Sequence, residues 1–308
     1  MRTTALTLTT ALTLSLLAGV AHAAECSTVK FSDVGWTDIT TTTSATKQVL
    51  QALGYKVDVK VLSVPVTYAS LESDDVDVFL GNWMPAQTGA ITPYLDSGEI
   101  ESVAVNLTGT KYTLAVPTYT YDKGLTDYSK IAQFADSLGN KIYGIEPGNE
   151  GNGYLIGLTE KDTFGLGKFK VVESSEQGML AEVGRDYDEK KDVVFLGWEP
   201  HPMNAKFALK YLPGGEDFFG GEGVVNTVTR KGYVAECPNV GKLLTNVKFT
   251  LPMENEIMGE ILNDGADPDE ATMKWMKANP DAVMAWVAGV TTLDGADGAA
   301  AVKAALAL

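Results

Sequence analysis

Apolar and polar residues along the chain predict short strands and helices that alternate in the same order twice. Apolar runs predict strands over 30–35, 56–64 and 76–80, and again over 141–145, 169–172 and 192–196. Apolar residues at helical spacing predict helices over 39–53, 68–71, 153–159 and 176–188. Because helical crossovers connect parallel strands, each half of the chain is predicted to form an α/β lobe.

The segments between and after these halves predict that the chain crosses from one lobe to the other and back. A strand over 111–116 runs into Pro117, and residues 211–221 are rich in Gly and Pro. These crossings are typical of a hinge, so residues 24–115 and 213–308 are predicted to form lobe one and residues 116–212 lobe two. The ligand cleft is then expected between the lobes.

The C-terminal part is predicted to be mostly helical. A strand over 232–236 comes first, and a helix then begins at Pro268 with Asp267 as its N-cap and ends before Pro280. A short helix is predicted over 281–288. The alanine-rich residues 295–308 predict a surface helix or a partly disordered tail.

A motif that occurs twice is the most informative feature of the sequence. Residues 77–85 read Asp-Val-Phe-Leu-Gly-Asn-Trp-Met-Pro, and residues 192–200 read Asp-Val-Val-Phe-Leu-Gly-Trp-Glu-Pro. Each copy is an apolar strand predicted to end at its Gly and Pro, which leaves Trp83 and Trp198 at strand ends. Because ligands of open α/β sheets bind at the carboxyl ends of strands, the two tryptophans are predicted to wall one slot.

Four more residues are predicted to face this slot. Trp36 and Asp38 follow the first strand, Asn149 lies in the loop after the first strand of the second half, and Tyr112 lies at the first crossing. Each also has an ordinary structural interpretation: Asp38 as a helix N-cap, Asn149 as a turn residue between glycines, and the aromatic residues as core.

Other aromatic residues are assigned elsewhere. Trp275 and Trp286 lie on predicted helices and are expected in the core. Tyr119 and Tyr121 compete with Tyr112 but are expected at the surface. His201, between two prolines, is expected to be a loop residue.

The formal net charge of −16 narrows what the slot can bind. An acidic chain lacks the clustered Lys and Arg that bind phosphates, so we expect no nucleic-acid partner and no affinity for anionic membranes. The charge is compatible with a cationic ligand. The chain has two histidines, one of them near its start, so we expect no His-based metal site and no cofactor.

The first 23 residues have the pattern of a cleaved secretory signal. Arg2 precedes an apolar stretch too short to span a membrane comfortably, and residues 21–23 form a small-x-small cleavage site. We therefore expect export to the periplasm. In an exported protein an even pair of cysteines favours one disulfide, here between Cys26 and Cys237; two free buried thiols are the alternative.

Aromatic walls and a carboxylate predict the chemistry of the ligand. Indole and phenol faces attract cations, and each contact contributes roughly 0.5–2 kcal/mol. A quaternary ammonium group has no N–H to satisfy, whereas an ordinary ammonium would leave N–H groups without partners against such walls. Asp38 adds negative charge, and Asn149 can donate or accept toward a polar tail. The slot is therefore predicted to bind a quaternary ammonium compound.

Five motifs together make the chain resemble a known family. They are Gly-Trp-Thr-Asp at 35–38, Phe-Leu-Gly-Asn-Trp-Met-Pro at 79–85, Lys-Tyr-Thr-Leu-Ala-Val-Pro at 111–117, Glu-Pro-Gly-Asn at 146–149 and Gly-Trp-Glu-Pro-His-Pro at 197–202. Over essentially the whole mature chain, the sequence resembles periplasmic substrate-binding proteins of ABC importers for quaternary amines, and among them the choline-binding members. The resemblance implies an α/β fold of the two-lobed periplasmic binding protein class, type II, with the ligand cleft between the lobes.

The same resemblance implies the site and its partners. The quaternary ammonium would lie in a box of four aromatic residues, with an acidic and an amide side chain beside it: Trp36, Trp83, Tyr112, Trp198, Asp38 and Asn149. The protein is then expected to capture choline, and acetylcholine or a betaine more weakly, as a monomer without enzymatic activity. It would deliver the ligand to the membrane permease of an ABC transporter.

Three alternative functions are weighed against choline transport. Glycine betaine or proline betaine is the nearest alternative ligand, but Asp38 would repel its carboxylate. A secreted enzyme acting on a choline ester is disfavoured, because the chain has no Gly-x-Ser-x-Gly elbow and its single mature His has no obvious nucleophile partner. A sensory module that presents its ligand to a receptor is not distinguished from a transport protein by the sequence.

Overall fold

Two sheets that share one long strand form the framework of the protein. The computed structural model describes residues 26–308, so the predicted signal sequence and its cleavage site lie outside the described residues. Within these residues the nine strands are β1 Thr28–Asp33, β2 Lys56–Val61, β3 Val78–Met84, β4 Ile100–Pro117, β5 Lys141–Tyr143, β6 Lys170–Val172, β7 Phe195–Glu199, β8 Leu209–Tyr211 and β9 Gly223–Arg230.

Strand pairing divides the framework at β4. The first sheet has the order β2–β1–β3–β9–β4, with β1 parallel to β2 and β3, and with β9 antiparallel to both of its neighbours. The second sheet has the order β4–β7–β5–β6, in which β5, β6 and β7 are parallel and β7 is antiparallel to β4. Residues 100–110 of β4 pair with β9, and residues 111–117 pair with β7 and β8.

Helices connect and cover the strands. The α-helices of the described residues are α1 Thr37–Ala52, α2 Val64–Glu72, α3 Thr88–Ser97, α4 Thr118–Asp122, α5 Glu150–Glu160, α6 Glu176–Asp188, α7 Met203–Lys206, α8 Glu216–Phe219, α9 Tyr233–Glu236, α10 Pro238–Asn246, α11 Leu251–Asp264, α12 Pro268–Ala278, α13 Pro280–Trp286 and α14 Gly298–Leu306. Two 3-10 helices span Tyr128–Phe134 and Thr163–Gly165.

The structure confirms the repeated β-α-β-α-β order and its parallel strands, and it corrects the segment that follows the second copy. The predicted strand at 232–236 is wrong, because Gly232 has a left-handed φ of 72° and helix α9 begins after it. The strand comes earlier, as β9, between β3 and β4. Its buried Thr227 and Thr229 weaken the apolar alternation by which a strand is recognised.

The prediction that both Trp-bearing strands end at their glycines is also wrong. Gly81 and Gly197 lie inside β3 and β7, which continue through the tryptophans and stop at the residue before each proline. A Cβ on Gly81 would lie 2.7 Å from the ring of Phe79, and one on Gly197 would lie 2.8 Å from Cβ of Ala115. Close packing, rather than chain reversal, therefore requires glycine at both positions.

Helix α1 is buried along most of its length, although it is rich in threonine. Helices α11, α12 and α14 pack against it. Gln48 of α1 donates to Thr272 Oγ1 of α12 at 2.6 Å, and Ser44 hydrogen-bonds with the same oxygen at 2.9 Å. These contacts hold α1 in place, so its first turn presents Trp36 and Asp38 in a fixed position.

The predicted disulfide between Cys26 and Cys237 is confirmed, with the two Cα atoms 5.6 Å apart. The C-terminal helices follow the prediction: Asp267 caps α12, and Trp275 stacks on the buried Trp286 at 6.2 Å between ring centres. Over residues 26–308, no helix is long and apolar enough to cross a membrane. The same residues contain no cluster of three or more His, Cys, Asp or Glu side chains placed to hold a metal ion.

Candidate functional site

All six residues predicted to form the slot line one cavity, to which both sheets contribute. Its ten lining residues are Trp36, Asp38, Trp83, Ala86, Gln87, Tyr112, Ile145, Asn149, Glu150 and Trp198. The space between them has room for one or two water-sized groups.

Strand register and a helix start position the four aromatic side chains. Trp83, Tyr112 and Trp198 belong to β3, β4 and β7, and Tyr112 lies directly opposite Trp198 in the antiparallel ladder. Trp36 occupies the N-cap position of α1, three residues after the end of β1. The three tryptophans are buried, with at most 7% of their surface exposed. Residues far apart in the sequence therefore form one aromatic enclosure.

Tyr112 contacts two of the three tryptophans. Its ring meets Trp83 and Trp198 edge-to-face, with ring centres 6.3 and 6.4 Å apart, and Phe219 of α8 packs against it at 4.9 Å. Such edge-to-face contacts are favourable for aromatic pairs. Burial raises the pKa of the Tyr112 phenol well above its ordinary value, so the hydroxyl keeps its proton. The hydroxyl donates a hydrogen bond to Asn149 Oδ1 at 3.0 Å.

Asn149 is at once a helix cap and part of the cavity wall. Its Oδ1 accepts the backbone N–H groups of Gly151 at 2.8 Å and Asn152 at 3.4 Å, at the start of α5. A Cβ on Gly151 would lie 2.2 Å from the Tyr112 hydroxyl, so glycine is needed for Tyr112 to reach Asn149. Asn149 was expected to be either a turn residue or a slot residue; the structure makes it a helix cap that also lines the cavity.

Asp38 is a buried carboxyl group beside the aromatic walls. It lies in the first turn of α1, one position past the start of the helix, so it is not the N-cap residue. Its Oδ2 accepts the indole N–H of Trp83 at 2.9 Å. Burial, and then the charge of Glu176, raise the pKa of Asp38 to about 8. The ionised form of Asp38 is therefore unfavourable in the unliganded fold, because no nearby positive charge among the described residues stabilises it.

Further acids surround the same region. Burial, and then the charge of Glu146, raise the pKa of the lining residue Glu150 to about 7. Burial also raises the pKa of Glu146, which accepts the Trp36 indole N–H at 2.9 Å. Behind Asp38, Glu254 of α11 is buried, and burial and the charge of Asp38 raise its pKa well above the ordinary value. None of the ten lining residues is basic.

Glu176 connects the second sheet to the start of α1. Its carboxylate accepts the Thr37 backbone N–H at 2.9 Å and the Thr37 hydroxyl at 2.5 Å. The N-terminus of a helix favours negative charge, because its first N–H groups have no partner within the helix. His201 lies in the loop after β7, as predicted, but it is buried and its Nε2 is 3.3 Å from Glu176.

Sequence reasoning missed several residues of the region. Ala86, Gln87, Ile145 and Glu150 line the cavity without having been predicted. They could have been found because each is close in sequence to a predicted residue: Ala86 and Gln87 follow Trp83 within one turn, and Ile145 and Glu150 lie on either side of Asn149. Of the aromatic residues assigned elsewhere, none lines the cavity: Tyr119, Tyr121, Trp275 and Trp286.

This arrangement can hold a cation that has no hydrogen-bond donors of its own. The ring faces attract positive charge, and the burial of the three tryptophans makes that attraction stronger than it would be in solvent. Asp38 and Glu150 add formal negative charge once they are ionised. An anionic ligand group would meet two acids and no basic side chain.

Comparison with known proteins agrees with this geometry. The OpuAC family profile, described as the substrate-binding domain of an ABC-type glycine betaine transport system, matches residues 27–278. An ABC-transporter choline-binding protein in complex with choline is 57% identical, with a TM-score of 0.90 over 92% of this chain and 99% of its own. The unliganded semi-closed form of an ABC-transporter choline-binding protein, also 57% identical, has a TM-score of 0.85 over 92% of this chain and 100% of its own.

A third solved structure extends the comparison to another ligand. Lactococcal OpuAC in its closed conformation with glycine betaine is 26% identical, with a TM-score of 0.74 over 84% of this chain and 98% of its own. These proteins share the two-lobed α/β fold of substrate-binding proteins, as predicted from the sequence. Because the family profile spans most of the chain, the protein belongs to the OpuAC family of substrate-binding domains of ABC-type glycine betaine transport systems.

Proposed function

We propose that this protein captures choline in the described cavity and delivers it to the membrane permease of an ABC importer. The observation that carries the proposal is one cavity with four aromatic residues, two acidic residues and no basic residue. A trimethylammonium group fits such walls because it is a permanent cation without N–H donors. The 57% identity to a protein solved with choline supports the same ligand.

The six predicted residues have distinct proposed roles. Trp36, Trp83, Tyr112 and Trp198 surround the ammonium group. Asp38 attracts the cation and accepts a hydrogen bond from the choline hydroxyl. Asn149 holds Tyr112 in place and lies beside the ligand.

We further propose that two lobes close over the ligand. Residues 24–115 and 213–308 would form one lobe and residues 116–212 the other, with β4 crossing between them. Both sheets contribute walls to the cavity, so the full box exists only when the lobes meet, and the ligand favours that closed state. The protein would work in the periplasm as a non-enzymatic monomer, after removal of residues 1–23.

Glycine betaine is the second candidate ligand, because the family profile is that of glycine betaine transport. Its trimethylammonium group would fit the same walls, but its carboxylate would lie among Asp38 and Glu150, which repel it once they are ionised. We therefore rank choline first.

Calorimetric titration with choline, acetylcholine, glycine betaine and proline betaine tests this ranking. We expect choline to bind most tightly and both betaines more weakly at the same pH and ionic strength. Tighter binding of either betaine than of choline would contradict the proposal.

A further inference from the structure

We infer that Gln87 is a specificity residue that donates a side-chain N–H to the oxygen of the bound ligand. This inference rests on the proposed function, since it concerns the polar end of a ligand whose ammonium group lies in the aromatic box. Gln87 lines the cavity, and only 1% of its surface is exposed. Its Nε2 is buried without a hydrogen-bond partner among the described residues. Buried amide donors normally have partners, so this one calls for a ligand acceptor.

The backbone places Gln87 next to the box. Its N–H donates to the carbonyl oxygen of Trp83 at 3.0 Å, so a single turn of chain separates the two residues. Gln87 also occupies the N-cap position of α3, and no side-chain cap bond holds it there. The Gln87 side-chain amide therefore does not cap the helix, and it lines the cavity instead.

The other end of the amide is held by a directional set of hydrogen bonds. The Tyr68 hydroxyl donates to Gln87 Oε1, and Asn82 Nδ2 approaches the same oxygen at 3.3 Å. Asn82 in turn accepts from Asn226 Nδ2 at 3.0 Å through its Oδ1, which fixes the orientation of the Asn82 amide. Reversing Gln87 would bring its N–H groups against those of Asn82. The observed orientation is therefore favoured, and it leaves Nε2 as the unpaired end.

The phenol of Tyr68 can serve as the donor in this network at neutral pH. Tyr68 is fully buried, and burial raises its pKa above the ordinary value, so it keeps its proton. Asn82 Nδ2 donates to the Tyr68 oxygen at 2.9 Å, which uses the phenol as an acceptor as well. Gln87 Oε1 thus has its partners in Tyr68 and Asn82, while Gln87 Nε2 takes no part in this network.

Asn149, the amide predicted from sequence, has less capacity left. Its Oδ1 already accepts from Tyr112 and from two backbone N–H groups, and its Nδ2 is 3.3 Å from Glu146 Oε1. Acceptors are abundant at the cavity, because Asp38 and Glu150 line it. A ligand hydroxyl needs both kinds of partner: its O–H can donate to Asp38 while its oxygen accepts from Gln87. This pairing favours choline over a cation of equal size that lacks the oxygen.

A ligand pair and a variant pair test the inference. Dissociation constants are measured for choline and for propyltrimethylammonium, in which a methyl group replaces the hydroxyl, on the parent and on Gln87→Met. We expect Gln87→Met to lower the preference for choline over propyltrimethylammonium by roughly 3- to 10-fold, as expected for the loss of one hydrogen bond. An unchanged preference would overturn the inference, because a purely structural role weakens both ligands equally.

Gln48→Met is the matched control. Gln48 is also buried, but it bonds to Thr272 and Asp269 and does not line the cavity. This variant should lower the melting temperature and leave the ligand preference unchanged. If neither cation binds the parent, the proposed function fails, and that result is separate from a failure of the Gln87 assignment.

A measurement on the parent covers the case in which Gln87→Met does not fold. The side-chain amide protons of Gln87 are followed by ¹H–¹⁵N NMR during titration with each cation. A larger downfield shift with choline than with propyltrimethylammonium supports a hydrogen bond to the hydroxyl oxygen. Identical shifts with both cations would contradict it.

Discussion

Two tryptophans of the cavity donate their indole N–H to a carboxylate at the same 2.9 Å, but the two pairs differ in setting. Trp83, in β3 of the first sheet, donates to Asp38, in helix α1 that follows β1 of the same sheet. Trp36 donates to Glu146, which follows β5 of the second sheet. Asp38 is buried, whereas Glu146 is half-buried.

The first pair places a carboxyl group at the cavity, whereas the second pair connects the two sheets. The Trp83–Asp38 pair lies within one structural unit, so we expect it to exist before a ligand binds. The Trp36–Glu146 pair, like the bonds from Thr37 to Glu176, spans the two sheets and requires them to be close. Changes to the first pair should alter affinity and its pH dependence, and changes to the second should alter closure.

The largest expected effect is a pH dependence that originates at Asp38. Its pKa of about 8 lies far above the ordinary value near 4, so the unliganded fold loses stability as pH rises from about 4 through 8. A bound cation favours the ionised carboxylate and offsets that loss. Choline affinity, measured by calorimetry, is therefore expected to rise up to about tenfold per pH unit between pH 6 and 8 and to level off above.

The control for this profile is Asp38→Asn, which should flatten most of it. Glu150, with a pKa of about 7, acts in the same direction, so Glu150→Gln is measured alongside. Choline itself carries its charge at every pH. A flat profile in the parent would show that the carboxyl group does not ionise when the ligand binds.

Loss of one aromatic wall should have the next largest effect. Trp83→Ala or Trp198→Ala is expected to weaken choline binding by about 1–3 kcal/mol, through lost cation–π attraction and lost packing. Trp286→Ala is the control, since Trp286 is a buried tryptophan outside the cavity; it should lower stability and leave affinity unchanged. Parent-like titrations of both cavity variants would contradict the aromatic box.

The choice between choline and glycine betaine should move when the charge of Asp38 is removed. Asp38→Asn is expected to lower choline affinity and to shift the ratio of the two dissociation constants about tenfold toward betaine, because the like charge facing the betaine carboxylate is gone. Both constants are measured at one pH above 8 and one ionic strength. If the ratio does not change, residues other than Asp38 discriminate between choline and glycine betaine.

The smallest expected effect belongs to the pair that joins the sheets. Glu146→Gln keeps a partner for the Trp36 indole and removes the charge, so choline affinity should fall only by about threefold, as for a partly exposed contact. Small-angle scattering of the parent should show a smaller radius of gyration with choline, and Glu146→Gln should require more ligand for that change. If Glu146→Gln alters affinity as strongly as Asp38→Asn, the distinction between the two pairs fails.

Local patterns carried most of the fold prediction. Apolar runs bounded by Gly and Pro revealed both copies of the β-α-β-α-β unit, because such runs depend on neighbouring residues only. Strand β9 was missed because its threonines are buried between β3 and β4, and pairing with distant strands, rather than local hydrophobicity, keeps them there. The same pairing makes β4 much longer than predicted.

The sequence by itself identified six of the ten residues that line the cavity. Strand ends and loops of a repeated α/β unit converge, so Trp36, Trp83 and Trp198 could be identified from their positions alone. Only the tertiary structure decided the partners of the polar groups. Glu176 bonds to Thr37 across 139 residues, and the unpaired amide of Gln87 becomes visible only once the partners of its oxygen are known. Burial and hydrogen bonding depend on which distant residues surround a group, and a linear pattern does not contain that information.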